Sequence, residues 1–302
     1  IHQIEILSPL SIDQAARLIH RTAGILYIFN VFFERSSGRD WIRIVSTGVL
    51  PVKNIFAATL MVILLVVSAS ALPDQVVATI EMSATGGAIT QVATNVATVE
   101  GDGAVLSESI SMTAIGSGAV AQDAQNIGIV EAGSDNSAVD QSVILAAQGS
   151  SVDQNMVTGN ANIIAGEGDD ASVEQSVTMT AVATDGPVNQ VSFNTAGWTG
   201  DDVSISQTAE LAGQATGGVV NQVGAHAAGV TGDDANIYQN TTANALATGD
   251  ISQTFANAAI GDGVRPVYVQ VIIAAANSTG SGSVQVGTNE ANTGLFQFGV
   301  RA

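Results

Sequence analysis

The chain has 302 residues, no cysteine, and a formal net charge of −19 from 27 acidic and 8 basic side chains. Without cysteine there are no disulfides, thiolate metal sites or cysteine nucleophiles. Six of the basic residues and four of the acidic ones precede residue 72, so residues 72–302 carry 23 negative and 2 positive side chains. Such a surface repels nucleic acid and anionic lipid, whose recognition needs lysine and arginine.

Residues 1–48 hold most of the arginine and two of the three histidines, His2 and His20. This stretch reads as an over-extended N-terminal frame, and no function is assigned to it. Residues 49–71 read as a secretory signal peptide, expected to be helical. Lys53 supplies the basic region, residues 55–67 form an apolar run, and Ser68-Ala69-Ser70-Ala71 is an Ala-x-Ala cleavage site. The run is shorter than the roughly 20 residues that span a bilayer, so no stable membrane insertion is expected after cleavage.

Residues 72–302 carry one repeat. A glutamine recurs at positions 91, 122, 141, 154, 175, 190, 207, 222, 239, 253, 270 and 285, with Glu108 in an equivalent slot. Every second member is about 32 residues from the last, as in Gln175, Gln207 and Gln239, or Gln190 and Gln222. Two kinds of strand therefore alternate. One carries an asparagine four residues after the glutamine: Gln91 with Asn95, Gln122 with Asn126, Gln190 with Asn194, Gln253 with Asn257, Gln285 with Asn289. In this series His226 follows Gln222 and Thr158 follows Gln154. The other kind is apolar there: Gln141 with Leu145, Gln175 with Met179, Gln207 with Leu211, Gln270 with Ala274.

Each segment alternates with period two. In residues 173–181 the set Val173, Gln175, Val177, Met179, Ala181 shares one face and is expected inside. Short glycine turns, such as Thr216-Gly217-Gly218, alternate with acidic ones: Gly168-Asp169-Asp170, Gly200-Asp201-Asp202 and Gly232-Asp233-Asp234. Glycine and aspartate suit tight turns, and the 32-residue spacing puts the acidic turns on one edge.

Two arrangements accommodate this pattern. In a β-arch, the two strand kinds lie in different sheets and successive arches stack in parallel. In an antiparallel meander, they pair side by side. The arch is preferred, because amide ladders need like residues in register about 4.8 Å apart. The expected fold is thus an all-β, β-solenoid-like stack of six to seven two-strand units. These glutamines and asparagines are its structural ladder.

The Gln-x3-Asn-x-Ala/Gly strands, glycine-rich turns, absence of lysine after residue 53 and signal sequence resemble curlin, the subunit of bacterial functional amyloid. A closer resemblance is to the amyloid-like sheath protein of methanogenic archaea. It covers about residues 72–302 and implies an extracellular casing protein with no catalytic residues to carry over.

The chemistry of the repeat region agrees with a non-enzymatic role. His226 is its one histidine, and no nucleophile elbow accompanies it. Carboxylates are plentiful, but no converging pair is evident in the sequence. No cofactor is expected, although Asp169, Asp170, Asp201, Asp202, Asp233 and Asp234 could hold calcium or another divalent cation weakly. The expected partner is the chain itself, as a homopolymer at the cell surface. The alternative is a secreted solenoid adhesin or cation-binding surface module.

Overall fold

The computed structural model describes residues 75–131, 133–154, 160–280 and 282–293. It also gives the strand backbones of β1 (Ile4–Glu5), β2 (Ala16–Thr22), β3 (Ile25–Ser36), β4 (Arg39–Thr47) and β5 (Thr59–Ser68). The cleavage site at residues 68–71 and the stretch from residue 294 lie largely outside these residues.

The repeat folds as stacked β-arches, and every repeat contact is parallel. One sheet runs through β6 (Gln75–Gly86), β8 (Val105–Gly116), β10 (Ala138–Gly149), β13 (Ser172–Ala183), β15 (Ser204–Ala215), β17 (Asn236–Ala247) and β19 (Val267–Ser278). The facing sheet runs through β7 (Ile89–Val99), β9 (Val120–Val130), β11 (Val152–Gln154) with β12 (Asn160–Glu167), β14 (Val188–Thr199), β16 (Val220–Thr231), β18 (Ile251–Asp262) and β20 (Ser283–Thr293). A rung is one strand from each sheet, giving seven rungs from β6–β7 to β19–β20. The meander is excluded, because each strand pairs with its own kind two elements away.

The alternation decides which side chains enter the core. In β13 the burial pattern is strictly alternate, with Val173, Gln175, Val177, Met179 and Ala181 inside. Stacking turns these positions into columns along the axis. Ile80, Ile110, Val143, Val177 and Ala209 form one; Met82, Met112, Leu145, Met179 and Leu211 form the next. Each column buries apolar area against the facing sheet and against its own neighbours, at about 25 cal/mol per Å².

Large residues in a column are matched by glycine in the next rung. Phe255, the largest fully buried side chain, aligns with Gly224 on one side and Gly287 on the other. A Cβ at Gly224 would stand 3.0 Å from its ring. Trp198 aligns with Gly166, and its indole Nε1 donates to Gly168 O at 2.8 Å.

Two expectations need correction. The signal segment was expected as helix, yet Thr59–Ser68 is a strand paired in parallel with β7. Its β-branched run suits a strand, and the edge of β7 offers the unpaired backbone groups that a strand satisfies. Similarly, Arg39–Thr47 pairs in parallel with β6. The second correction concerns the third rung. The asparagine slot there belongs to Asn162, paired with Asn126 and Asn194, and not to Thr158, which lies outside the described residues. The facing strand is split into β11 and β12, and the four extra residues between Gln154 and Asn162 displace the expected spacing.

Replacing Gly166 with alanine should test the column matching. An added Cβ there would fall within the Trp198 ring, so unfolding in urea should show a loss of about 1–3 kcal/mol. An unchanged midpoint would contradict the packing described.

Candidate functional site: the amide ladders and the edges of the stack

The interior glutamines form two continuous hydrogen-bonded ladders. In the facing sheet, Gln122 Nε2 donates to Gln91 Oε1 at 2.7 Å, and Gln154, Gln190, Gln222, Gln253 and Gln285 each donate to the preceding glutamine at 2.6–2.9 Å. In the first sheet, Gln175, Gln207, Gln239 and Gln270 do the same at 2.8 Å. From Gln91 to Gln270 the second hydrogen of each amide goes to a backbone carbonyl of the facing sheet, such as Thr195 O for Gln175 and Ala212 O for Gln190. The side chain thus ties rung to rung and sheet to sheet. Burying an amide is unfavourable unless it is hydrogen-bonded, and this geometry meets both donors.

The asparagine ladder runs the other way. Asn95, Asn126 and Asn162 each donate to the Oδ1 of the next asparagine, at 3.0, 2.9 and 3.0 Å. Their remaining hydrogens reach carbonyls of the first sheet, including Ser142 O and Ser176 O.

His226 interrupts this ladder with a compensation the sequence did not reveal. Its Nδ1 accepts from Asn194 Nδ2 at 3.3 Å, and its Nε2 faces Asn240 O at 3.2 Å, so the ring is neutral with the proton on Nε2. The next member, Asn257, therefore receives no ladder donor. Thr241, in a column otherwise filled by isoleucine, valine and alanine, donates its hydroxyl to Asn257 Oδ1 at 3.3 Å. Burial lowers the His226 pKa to about 4.

Glu108 occupies the glutamine slot of its rung, buried, and accepts from Gln141 Nε2 through Oε2 at 2.6 Å. Ala78 lies beside it in the first rung, and Oε1 has no partner. Burial raises its pKa to about 8, against the lowering effect of the Gln141 hydrogen bond.

The acidic turns join the end of one rung to the start of the next, along one edge as expected. Their first aspartates are bound by backbone amides: Asp169 Oδ1 accepts from Asp201 N at 2.8 Å, and Asp201 Oδ1 accepts from Asp233 N at 2.7 Å. Their second aspartates, Asp170, Asp202 and Asp234, hold φ near +56° in a column with Asn136 and Arg265. Asp and Asn tolerate this region better than most residues. Arg265 ends the column with an ion pair to Asp234. Among the described residues, no three His, Cys, Asp or Glu side chains are grouped as metal ligands.

On the outer face of the first sheet, a groove of about 450 Å³ crosses four strands between Thr180 and Asn277, floored by Ala212 and Gly213. At the last rung, β19 and β20 expose the interior columns themselves. Gln285 and Asn289 are exposed, and Gln270 and Ile272 are only half-buried.

No family model, curated protein or solved structure matches the chain.

The ladder chemistry makes three predictions. Thr241→Val should cost about 1–3 kcal/mol by stranding Asn257 Oδ1. Adding His226→Asn should recover most of it, because an asparagine there regains the ladder donor; a double-mutant cycle in urea checks the coupling. Since the folded His226 pKa lies below its unfolded value of 6.5, its neutral state supports the fold above pH 6.5. That support, about 3 kcal/mol, is lost as pH falls through about 4, and His226→Asn should abolish this acid sensitivity. Glu108 has the opposite sign. Its folded pKa exceeds the unfolded one, so stability is retained below pH 4.5 and lost as pH rises through about 8. Glu108→Gln should therefore stabilise most at pH 8.5, by on the order of a few kcal/mol, and little at pH 4.5. Equal gains at both pH values would refute the buried-carboxyl account.

Proposed function

We propose that this chain is a structural subunit of an extracellular sheath or surface layer that self-assembles by edge-to-edge strand pairing into an amyloid-like polymer. The observation that carries this reading is the uncovered last rung. Strands β19 and β20 present unpaired backbone edges and open amide columns to solvent among the described residues. Monomeric solenoids protect such ends with polar caps, and an open parallel edge is a template for a further strand. The material properties agree: stacked in-register amides give durability without disulfides. Secretion and signal cleavage belong to the same reading, supported by the basic, apolar and Ala-x-Ala pattern of residues 49–71.

A second reading, a secreted adhesin or cation-binding surface module, is favoured by the outer groove and the acidic edge. One dilution series separates the two. Light scattering and sedimentation of the purified chain should show polymer above a critical concentration, and oriented samples should diffract near 4.7 and 10 Å. A chain that stays monomeric at high concentration refutes the structural reading and supports the surface module.

A further inference from the structure

The ladders end in complementary ways at the two ends of the stack. At the first rung Asn95 is fully buried; its Nδ2 contacts Ser109 O, Ala78 O and Asn126 Oδ1, but its Oδ1 has no partner. Every later member of the ladder receives a donor at that atom from the preceding rung or, for Asn257, from Thr241. At the last rung Asn289 accepts from Asn257 at 3.1 Å and spends one hydrogen on Gln270 O, leaving one among the described residues. The glutamine ladder is the mirror case. Among the described residues Gln91 uses one Nε2 hydrogen on Thr113 O and has another to give, while Gln285 donates to Gln253 and leaves Oε1 next in line to accept.

Resting on the self-assembly reading, we infer that copies join head to tail in one register: β20 of one copy lies against β7 of the next, with Asn289 on Asn95 and Gln285 on Gln91. Both open valences then close, in opposite directions. Asn289 Nδ2 donates to Asn95 Oδ1, and Gln91 Nε2 donates to Gln285 Oε1. Tail-to-tail contact would set Gln285 acceptors against each other, and head-to-head contact would pair two Asn95 acceptors. In the first sheet the same register puts β19 against β6, in the place that β4 holds, with Ile272 on Ile80, extending the column that Ile80 opens. Only the glutamine ladder of this sheet restarts, because Gln270 meets Ala78.

The place of the incoming strand is held in this chain by β5. Its residues in register with Gln91 and Asn95 are Met61 and Leu65, which carry no amide. β5 therefore occupies the edge of β7 without continuing either ladder, and Asn95 Oδ1 stays orphaned. Displacement of β5 by β20 exchanges one set of backbone bonds for another and adds two amide bonds. β4 and β5, both on the N-terminal side of the cleavage site, cover the two edges of the first rung until cleavage removes them.

The absence of cysteine from the chain makes the register measurable. Full-length Thr90→Cys and full-length Val284→Cys are prepared, each also carrying Val62→Pro and Ile63→Pro to weaken β5 and Ile42→Pro and Arg43→Pro to weaken β4. Thr90 and Val284 occupy one outward column, so the proposed contact sets them side by side. A short bis-maleimide should link an equimolar mixture into dimers, link neither variant alone, and join a chain carrying both cysteines into a multimer series. Polymer with Val284→Cys dimers alone, or with no linkage in the mixture, overturns the head-to-tail register while leaving self-assembly intact. No polymer in any sample overturns self-assembly itself. Without the cysteines, the four prolines should lower the critical concentration relative to the unaltered chain. Asn289→Leu should raise it about tenfold, the equivalent of one unmet buried hydrogen bond. No change in either refutes the cover and the ladder closure respectively.

Discussion

A buried primary amide has two donors and one strong acceptor, and all must be met where water is absent. That requirement organises the whole repeat. An isolated glutamine between two sheets of small residues would be a defect. A column of glutamines at strand spacing satisfies each member through the one before it, and the leftover hydrogen finds a carbonyl across the core. The solution works only for parallel strands in register, so the same side chains that must be satisfied also dictate the topology. Apolar columns tolerate a shifted or reversed neighbour at modest cost; the amide columns do not.

Much of this was legible in the sequence because it is written as repetition. The glutamine spacing gives the rung, the asparagine or apolar residue four positions later gives the sheet, and the turn chemistry gives the edge. What escaped has physical reasons. Asn162 was hidden because four inserted residues separate it from Gln154, and spacing arguments fail where a strand is split. The Thr241–Asn257 bond pairs two residues on different strands of different sheets, and its cause is a third residue, His226. No periodicity carries such a correction; only the orphaned acceptor explains why a threonine stands in an aliphatic column. The strand at Thr59–Ser68 was missed for another reason. A short apolar run has no fixed preference, and an unpaired edge beside it decides its form.

The acidic edge shows how stacked charge becomes tolerable. Carboxylates repeated at strand spacing repel one another. The first aspartate of each turn instead receives a backbone N–H from the following rung. The charge is thereby used as an acceptor in a ladder of its own, parallel to the buried ones. The second aspartate faces water, where high dielectric weakens repulsion, and Arg265 compensates the last of the series.

Repetition also creates a hazard that the irregular residues remove. Identical columns would let any rung pair with any other, giving a ladder that could slip by a whole unit without losing a hydrogen bond. Phe255 seated between Gly224 and Gly287, Trp198 over Gly166, the insertion beside β11 and the Glu108–Gln141 pair each match one neighbour only. A slip of one rung would set bulk against bulk or strand a carboxyl against a hydrophobe. These pins lie inside the stack. In the facing sheet the terminal strands consist of residues closer to the repeat consensus: Gln91, Ala93, Asn95 and Ala97 at one end, and Gln285, Gly287, Asn289 and Ala291 at the other. A chain whose interior is individual and whose ends are generic folds in one way, yet remains able to continue its own pattern beyond itself.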